Sequence, residues 1–277
     1  MHAGEIKIVE SGGFKPDRRL TASGTAYFES GFGEPLILIH GVGMRLEAWG
    51  PQIASLSSKN RVIAVDMPGH GESKKLPTGS RLEDFVSWFS VFLDDLNIEK
   101  ANVAGHSMGA LIAGGAAATM GDRIARIAYL NGVYRRDPAA KAAVLARAAA
   151  IPVKGVDTEG PLERWFGDDA HSVVARELTR EWLGSVDPEG YATAYSAFAN
   201  GDKTYADRWP DVTAPALFLT GSDDPNSTPL MAKEMAAAAP NGWACIVEGQ
   251  RHMVNLTAPE TVNELMIQWL RIREEPA

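Results

Sequence analysis

Gly105-His106-Ser107-Met108-Gly109 places a serine between glycines, directly after the apolar run ANVA and before the helix-like stretch ALIAGGAAA. In that context a G-x-S-x-G pentapeptide predicts a sharp strand-to-helix turn that holds a nucleophile in a strained backbone conformation, with glycine where larger side chains would collide. At the start of a helix, backbone amides and the positive dipole end lie near Ser107 to stabilise developing negative charge. The chemistry expected is nucleophilic catalysis by serine.

A serine hydroxyl is a weak nucleophile until a base removes its proton, and the chain offers six histidines. His2 sits in a terminus expected to fray, and His171 in the stretch expected to form an inserted cap. His106 adjoins the nucleophile and is expected to point away from it. His40 and His70 follow earlier strands in glycine-bearing turns, where structural hydrogen bonding is the commoner role. His252, in the segment EGQRHMVN between the last predicted strand and the final helix, is the candidate base. The orienting acid is expected between serine and histidine in chain order. Gly221-Ser222-Asp223-Asp224-Pro225 follows the strand ALFLT with two adjacent carboxylates. Asp224 is favoured, one of the pair being expected to cap its own backbone as a turn residue. Asp223 and, less so, Asp137 stand as alternatives.

These residues need a scaffold, and the hydrophobic pattern supplies one. Short runs rich in Leu, Ile and Val alternate with longer helical patterns, which is the signature of βαβ units. Residues 36–40, 61–66, 101–106, 126–131, 216–220 and 243–247 read as strands buried on both faces, hence a mostly parallel sheet. Residues 81–96, 108–120, 230–239 and 259–271 read as helices covering it, and IKIV with TAYFE as a leading antiparallel pair at the edge. The fold class is α/β. The rhythm breaks between about Val133 and Tyr205, where Ala-rich and aromatic helical stretches replace strands. Residues 133–205 are therefore expected to form an inserted helical cap on a core of residues 1–132 and 206–277. Most of its aromatics are expected to form the cap's own core, with a few, Trp165 and Trp182 foremost, lining a pocket.

Composition bounds the partners. Of the 277 residues 45% are hydrophobic and 22% charged, as in ordinary globular proteins, and the net charge of −8 argues against nucleic acid and anionic membranes. No cationic leader precedes an apolar run at the start, and no stretch approaches the roughly 18 apolar residues of a membrane span. A cytoplasmic monomer or homodimer acting on a small molecule is the expectation. Cys245, the single cysteine, lies in an apolar run and reads as a buried structural thiol.

The arrangement resembles the α/β-hydrolase fold family, in the branch that holds esterases, enol-lactonases, ring-cleavage-product hydrolases and cofactor-free haloperoxidases. Three further motifs carry the resemblance: His40-Gly41-Val42-Gly43 followed by Trp49 looks like the oxyanion loop, Asp66-Met67-Pro68-Gly69-His70-Gly71-Glu72-Ser73 like the D-x-P-G-x-G-x-S turn, and Gly221 through Pro229 like the acid loop. It covers nearly everything except the cap. The resemblance implies an oxyanion hole made by the backbone amides of Val42 and Met108. It also implies attack of Ser107 on a carbonyl, proton transfer to His252, and release of the acyl group by water, with no metal or organic cofactor. Serine at the turn, where dehalogenase and epoxide-hydrolase relatives carry aspartate, argues against those activities.

Arg251 departs from the family, which often has glycine before the histidine. Facing the site it would lower the pKa of His252 or bind an anion, but a solvent-facing guanidinium is expected. Arg45 after the oxyanion loop, with Arg135 and Arg136 in the cap, suggests a carboxylate-bearing substrate. The first expectation is a small to medium carboxylic ester or lactone. The alternatives are carbon-carbon hydrolysis of a ring-cleavage product, or an amide or enamine of a small carboxylate-bearing catabolite. A ligand receptor on a hydrolase scaffold ranks below these. A dinucleotide enzyme is disfavoured because no G-x-G-x-x-G follows the first parallel strand.

Overall fold

The computed structural model describes residues 14–272. Eight strands form one sheet: β1 (Arg19–Leu20), β2 (Ala26–Ser30), β3 (Pro35–Ile39), β4 (Arg61–Val65), β5 (Ala101–His106), β6 (Ile124–Leu130), β7 (Ala216–Gly221) and β8 (Gly242–Val247). Their spatial order is β1-β2-β4-β3-β5-β6-β7-β8, with β1, β2 and β4 paired antiparallel and the remainder parallel. The segment IKIV lies outside the described residues, and the antiparallel partner of β2 is the two-residue β1.

Side chains alternate across a strand, so a run apolar at every position must be covered on both sides. Ile37 and Ile39 of β3 pack with Ile63 and Val65 of β4 into one core layer, and Leu36 and Leu38 with Val62 and Ala64 into the other. The first layer is closed by α2 (Leu82–Asp95) and α3 (Met108–Thr119) through Phe85, Phe89 and Ile112. The second is closed by α1 (Gly50–Leu56) and α10 (Pro259–Leu270) through Ile53 and Trp269. Helix α1 has no strong apolar period and escapes sequence reading. Cys245 is half-buried and free; the Trp243 indole donates to its sulfur at 2.7 Å, and burial pushes the thiol pKa up.

Between β6 and β7 the chain leaves the sheet as four helices: α4 (Pro138–Lys154), α5 (Glu159–Trp165), α6 (Ala170–Ser185) and α7 (Pro188–Asn200). Local chemistry starts three of them. Asp137, Asp169 and Asp187 are N-caps whose carboxylates accept the amides of Ala140, Ser172 and Gly190 at 2.9, 3.0 and 2.7 Å. The inserted helices seat on the core by close backbone approach: a Cβ on Gly69 would stand 2.6 Å from the Cα of Gly190 in α7. After β7 come α8 (Pro229–Ala238) and, after β8, the short α9 (Val254–Thr257). No helix among the described residues is long and apolar enough to cross a membrane. Among the same residues no group of three or more His, Cys, Asp or Glu could hold a metal ion.

Candidate active site

Ser107 sits at the junction of β5 and α3 with φ 55° and ψ −112°, a left-handed strain that non-glycine residues rarely carry. Its amide is anchored to the Leu130 carbonyl at 2.9 Å. The flanking glycines are required by space: a Cβ on Gly105 would stand 2.0 Å from the Gly109 carbonyl oxygen, and one on Gly109 would stand 2.1 Å from the Ile39 carbonyl oxygen. The turn is therefore wedged against β3, and its strain is held by the sheet.

The parallel order brings the ends of β5, β6, β7 and β8 side by side. The loop after β7 delivers Asp224 and the loop after β8 delivers His252, joined by a 2.8 Å bond from Nδ1 to Oδ2. Both are buried. Because the carboxylate accepts, Nδ1 carries the hydrogen and Nε2 of the neutral ring keeps a lone pair. Burial pushes the Asp224 pKa up, yet the charge and hydrogen bond of His252, with donors from Asn131 and Asn226, outweigh it and hold the carboxyl below its usual range. The donors are Asn131 Nδ2 at 2.9 Å on Oδ2, and the amides of Asn226 and Ser227 at 2.8 and 3.2 Å on Oδ1. Asp223 is exposed and accepts the Ser222 hydroxyl at 2.8 Å, whereas Asp137 caps α4.

Ser107 and His252 line one cavity of about 600 Å³, part of it open to solvent. No hydrogen bond joins the two side chains in the structure, and such bonds often close only around substrate. Val42 also lines the cavity. Its amide donates to no protein acceptor among the described residues, and Met108 occupies the first turn of α3, where helical geometry leaves amides unpaired.

Among the described residues, each of the remaining histidines bonds a backbone group. His40 Nε2 accepts the Met67 amide at 2.9 Å, so Nδ1 donates to the Gly41 carbonyl at 2.7 Å. His70 Nε2 accepts the Gly43 amide at 2.9 Å and pins the loop that carries Val42. Burial lowers their pKa values to about 3 and about 4. His106 bonds the His252 carbonyl through Nε2 at 2.8 Å, and burial, then the neighbouring His252, lowers its pKa to about 3. His171 of α6 approaches the Thr257 carbonyl at 3.3 Å, and His2 lies outside the described residues.

Among the aromatics of the insertion, Trp165, Tyr195 and Phe198 line the cavity, the Trp165 ring lying 5.5 Å from that of His252. Phe166, Trp182 and Tyr191 are buried in the apolar core, with Trp182 away from the cavity wall. Arg45 and Arg135 are also placed away from it. Arg45 pairs with Glu47 at 3.1 Å, and Arg135 pairs with Asp207 on the surface. Arg136 does reach the cavity, as do Arg147 and Arg164, which sequence reading did not single out because they resemble any helix-surface cation. Asn131 and Asn226 were equally hidden. Arg251 is exposed, as expected, and its Nη1 also donates to the Glu163 and Phe166 carbonyls at 3.0 and 2.8 Å.

Sheet order and nucleophile turn together define an α/β-hydrolase-fold enzyme of the serine hydrolase type. The chain belongs to the alpha/beta hydrolase family, whose model matches residues 36–265. It is 52% identical over 244 residues to an (E)-2-((N-methylformamido)methylene)succinate hydrolase of Acinetobacter baylyi, covering 88% of this chain and 93% of that one. Among solved structures it resembles the enol-lactonase of Burkholderia xenovorans LB400, with TM-score 0.82 and 28% identity over 92% of this chain and 100% of that one. A thermophilic esterase from Thermogutta terrifontis, solved with malate bound, has TM-score 0.83 and 25% identity over 93% and 98% of the two chains.

Proposed function

We propose that this protein hydrolyses the amide bond of a small carboxylate-bearing enamide, of the kind named for the A. baylyi relative. The observation that carries the proposal is the 52% identity spread over 88% of the chain, on a cavity lined by three arginines and no carboxylate. Residues 1–132 and 206–277 act as the core and 133–205 as a cap that closes the cavity over Ser107. The substrate is a small molecule, without nucleic-acid or membrane partner, taken by a cytoplasmic monomer or homodimer.

Ser107 Oγ attacks the acyl carbon while its proton passes to Nε2 of His252, and Asp224 stabilises the imidazolium that results. The amides of Val42 and Met108 hold the oxyanion. When the tetrahedral intermediate collapses, the C–N bond breaks and His252 returns the proton to the departing nitrogen. The acyl group, a formyl group for the relative's substrate, stays as an ester on Ser107. Water, deprotonated by His252, attacks that ester, and the carboxylic acid leaves as Ser107 regains its proton. An enamide nitrogen is a better leaving group than an ordinary amide nitrogen, because its electron pair delocalises into the adjoining double bond.

Carboxylic esters and lactones are the second substrate class, favoured by the 28% identical enol-lactonase; the first two bond changes are the same with oxygen in place of nitrogen. The test is turnover of (E)-2-((N-methylformamido)methylene)succinate beside an enol-lactone and a short-chain ester, with intact-mass detection of a fluorophosphonate adduct. We expect one adduct, absent in Ser107→Ala and His252→Ala, and the highest kcat/KM on the enamide. An adduct with preference for the lactone selects the second class. No adduct on folded protein sinks both and leaves a ligand receptor.

A further inference from the structure

Arg136, Arg147 and Arg164 line the same cavity as Ser107, and they are not equivalent. Arg136 is buried, lies 4.4 Å over the Phe198 ring and pairs at 3.3 Å with Asp202, which also binds Lys141. Its charge is already compensated inside the protein. Arg147, from α4, donates through Nε to the Tyr195 hydroxyl at 3.1 Å, and Arg164 projects from α5. Neither forms an ion pair with a carboxylate among the described residues. Asp157, which shares the space beside Gly160 with Arg164, is exposed and accepts the Gly160 amide at 3.1 Å.

A partly buried cation beside apolar walls, here Val144, Trp165 and Phe198, has lost part of its hydration without a carboxylate in contact with it. An anionic ligand that supplies the counterion recovers that loss, and the planar fork of arginine matches a carboxylate through two parallel hydrogen bonds. Two such forks on different helices of the insertion can take two carboxylates and fix the direction of the molecule that bears them.

We propose that Arg147 and Arg164 are the paired carboxylate anchors of a dicarboxylate site, one carboxylate to each, which hold the substrate by its acid end and leave its acyl group over Ser107. This deepens the function proposed above and rests on it for the placement of the acyl group. Arg136 lines the same cavity and takes no carboxylate, because Asp202 occupies it.

Binding can be read without turnover. Titration calorimetry on Ser107→Ala with succinate, propionate and dimethyl succinate should give saturable binding of succinate, at least tenfold weaker binding of propionate, and none of the diester. Adding Arg147→Met or Arg164→Met to that background should weaken succinate at least tenfold each, and Arg147→Lys or Arg164→Lys should restore part of the loss. Circular dichroism checks folding, and where a methionine variant does not fold the lysine variant alone decides, with an expected loss of at least threefold. Succinate affinity within twofold of the parent in the folded variants, or equal affinity for propionate, overturns the paired anchors. Fluorophosphonate labelling of Ser107 in wild type is independent of both arginines. Labelling without succinate binding removes the dicarboxylate site and keeps the serine hydrolase, whereas succinate binding without labelling removes the acyl-transfer chemistry and keeps the site.

Discussion

Arg251 donates from Nη1 to the carbonyl of Phe166 at 2.8 Å, which ties the residue before His252 to the chain just past the end of α5. The same nitrogen reaches the Glu163 carbonyl at 3.0 Å, satisfying carbonyls that a helix C-terminus leaves without partners. The link spans core and insertion, and Trp165 between those two carbonyls lies against the His252 ring. We expect Arg251→Ala to cost about 1 kcal/mol of stability, the worth of an ordinary hydrogen bond. It should also red-shift tryptophan emission as Trp165 loses its seat. Urea denaturation and fluorescence read both; an unchanged spectrum would mean that Trp165 is held by other contacts.

Asp224 is the carboxylate that His252 engages, while its neighbour Asp223 faces out. Asp224→Asn should lower kcat by roughly three to four orders of magnitude, because the amide can present its NH2 to the ring and favour the wrong tautomer. Asp223→Ala should stay within about twofold, as surface substitutions away from such features do. Asp137→Ala should cost about 1 kcal/mol through the lost α4 cap, with turnover nearly intact. Equal losses for Asp223 and Asp224 would require another orienting acid.

Asn131 makes the acid's environment. Folding holds the Asp224 pKa below its usual range, so the ionised carboxylate stabilises the protein at neutral pH. That contribution is complete above the unfolded value of about 3.9 and is lost as pH falls through the lower folded value. Asn131→Ala removes a donor at 2.9 Å, which should raise the Asp224 pKa and cost about 1 to 2 kcal/mol at pH 7. Below the carboxylate range the difference from wild type should shrink. Melting temperatures from pH 3 to 8 test this, and a pH-independent difference would place the effect in packing instead.

Gly109 lies within α3, where alanine is intrinsically better by about 1 kcal/mol. Its Cβ would stand 2.1 Å from the Ile39 carbonyl oxygen, a contact that real side chains do not make. We expect Gly109→Ala to destabilise by several kcal/mol and to abolish fluorophosphonate labelling. A stabilised, labelled variant would show that the turn can move away from β3.

The strands and the nucleophile turn were legible because their signals are local. Apolar runs such as LILI and VIAV can be satisfied only in a two-sided sheet, and glycines flanking Ser107 announce a turn that tolerates no side chain. The N-caps of α4, α6 and α7 are also local, each an aspartate three residues before the amide it accepts, but sequence reading takes Asp137 as an alternative acid and does not find them. Helix α1 was not legible because its apolar positions show no clean helical period.

Chain order alone set a serine turn before an acid-bearing loop and a histidine loop, hence an α/β class and a candidate serine nucleophile. Which side chains meet was decided by the tertiary structure. Asn131 meets Asp224 because β6 lies beside β7, a pairing that no local pattern encodes. Of the cations, Arg45 pairs with the largely buried carboxylate of Glu47 and Arg135 with the exposed Asp207, whereas Arg147 and Arg164 line the cavity. Residue type is the same in all four; Arg147 and Arg164 reach the cavity because α4 and α5 bring them to its wall, a placement set by packing between segments distant in the chain.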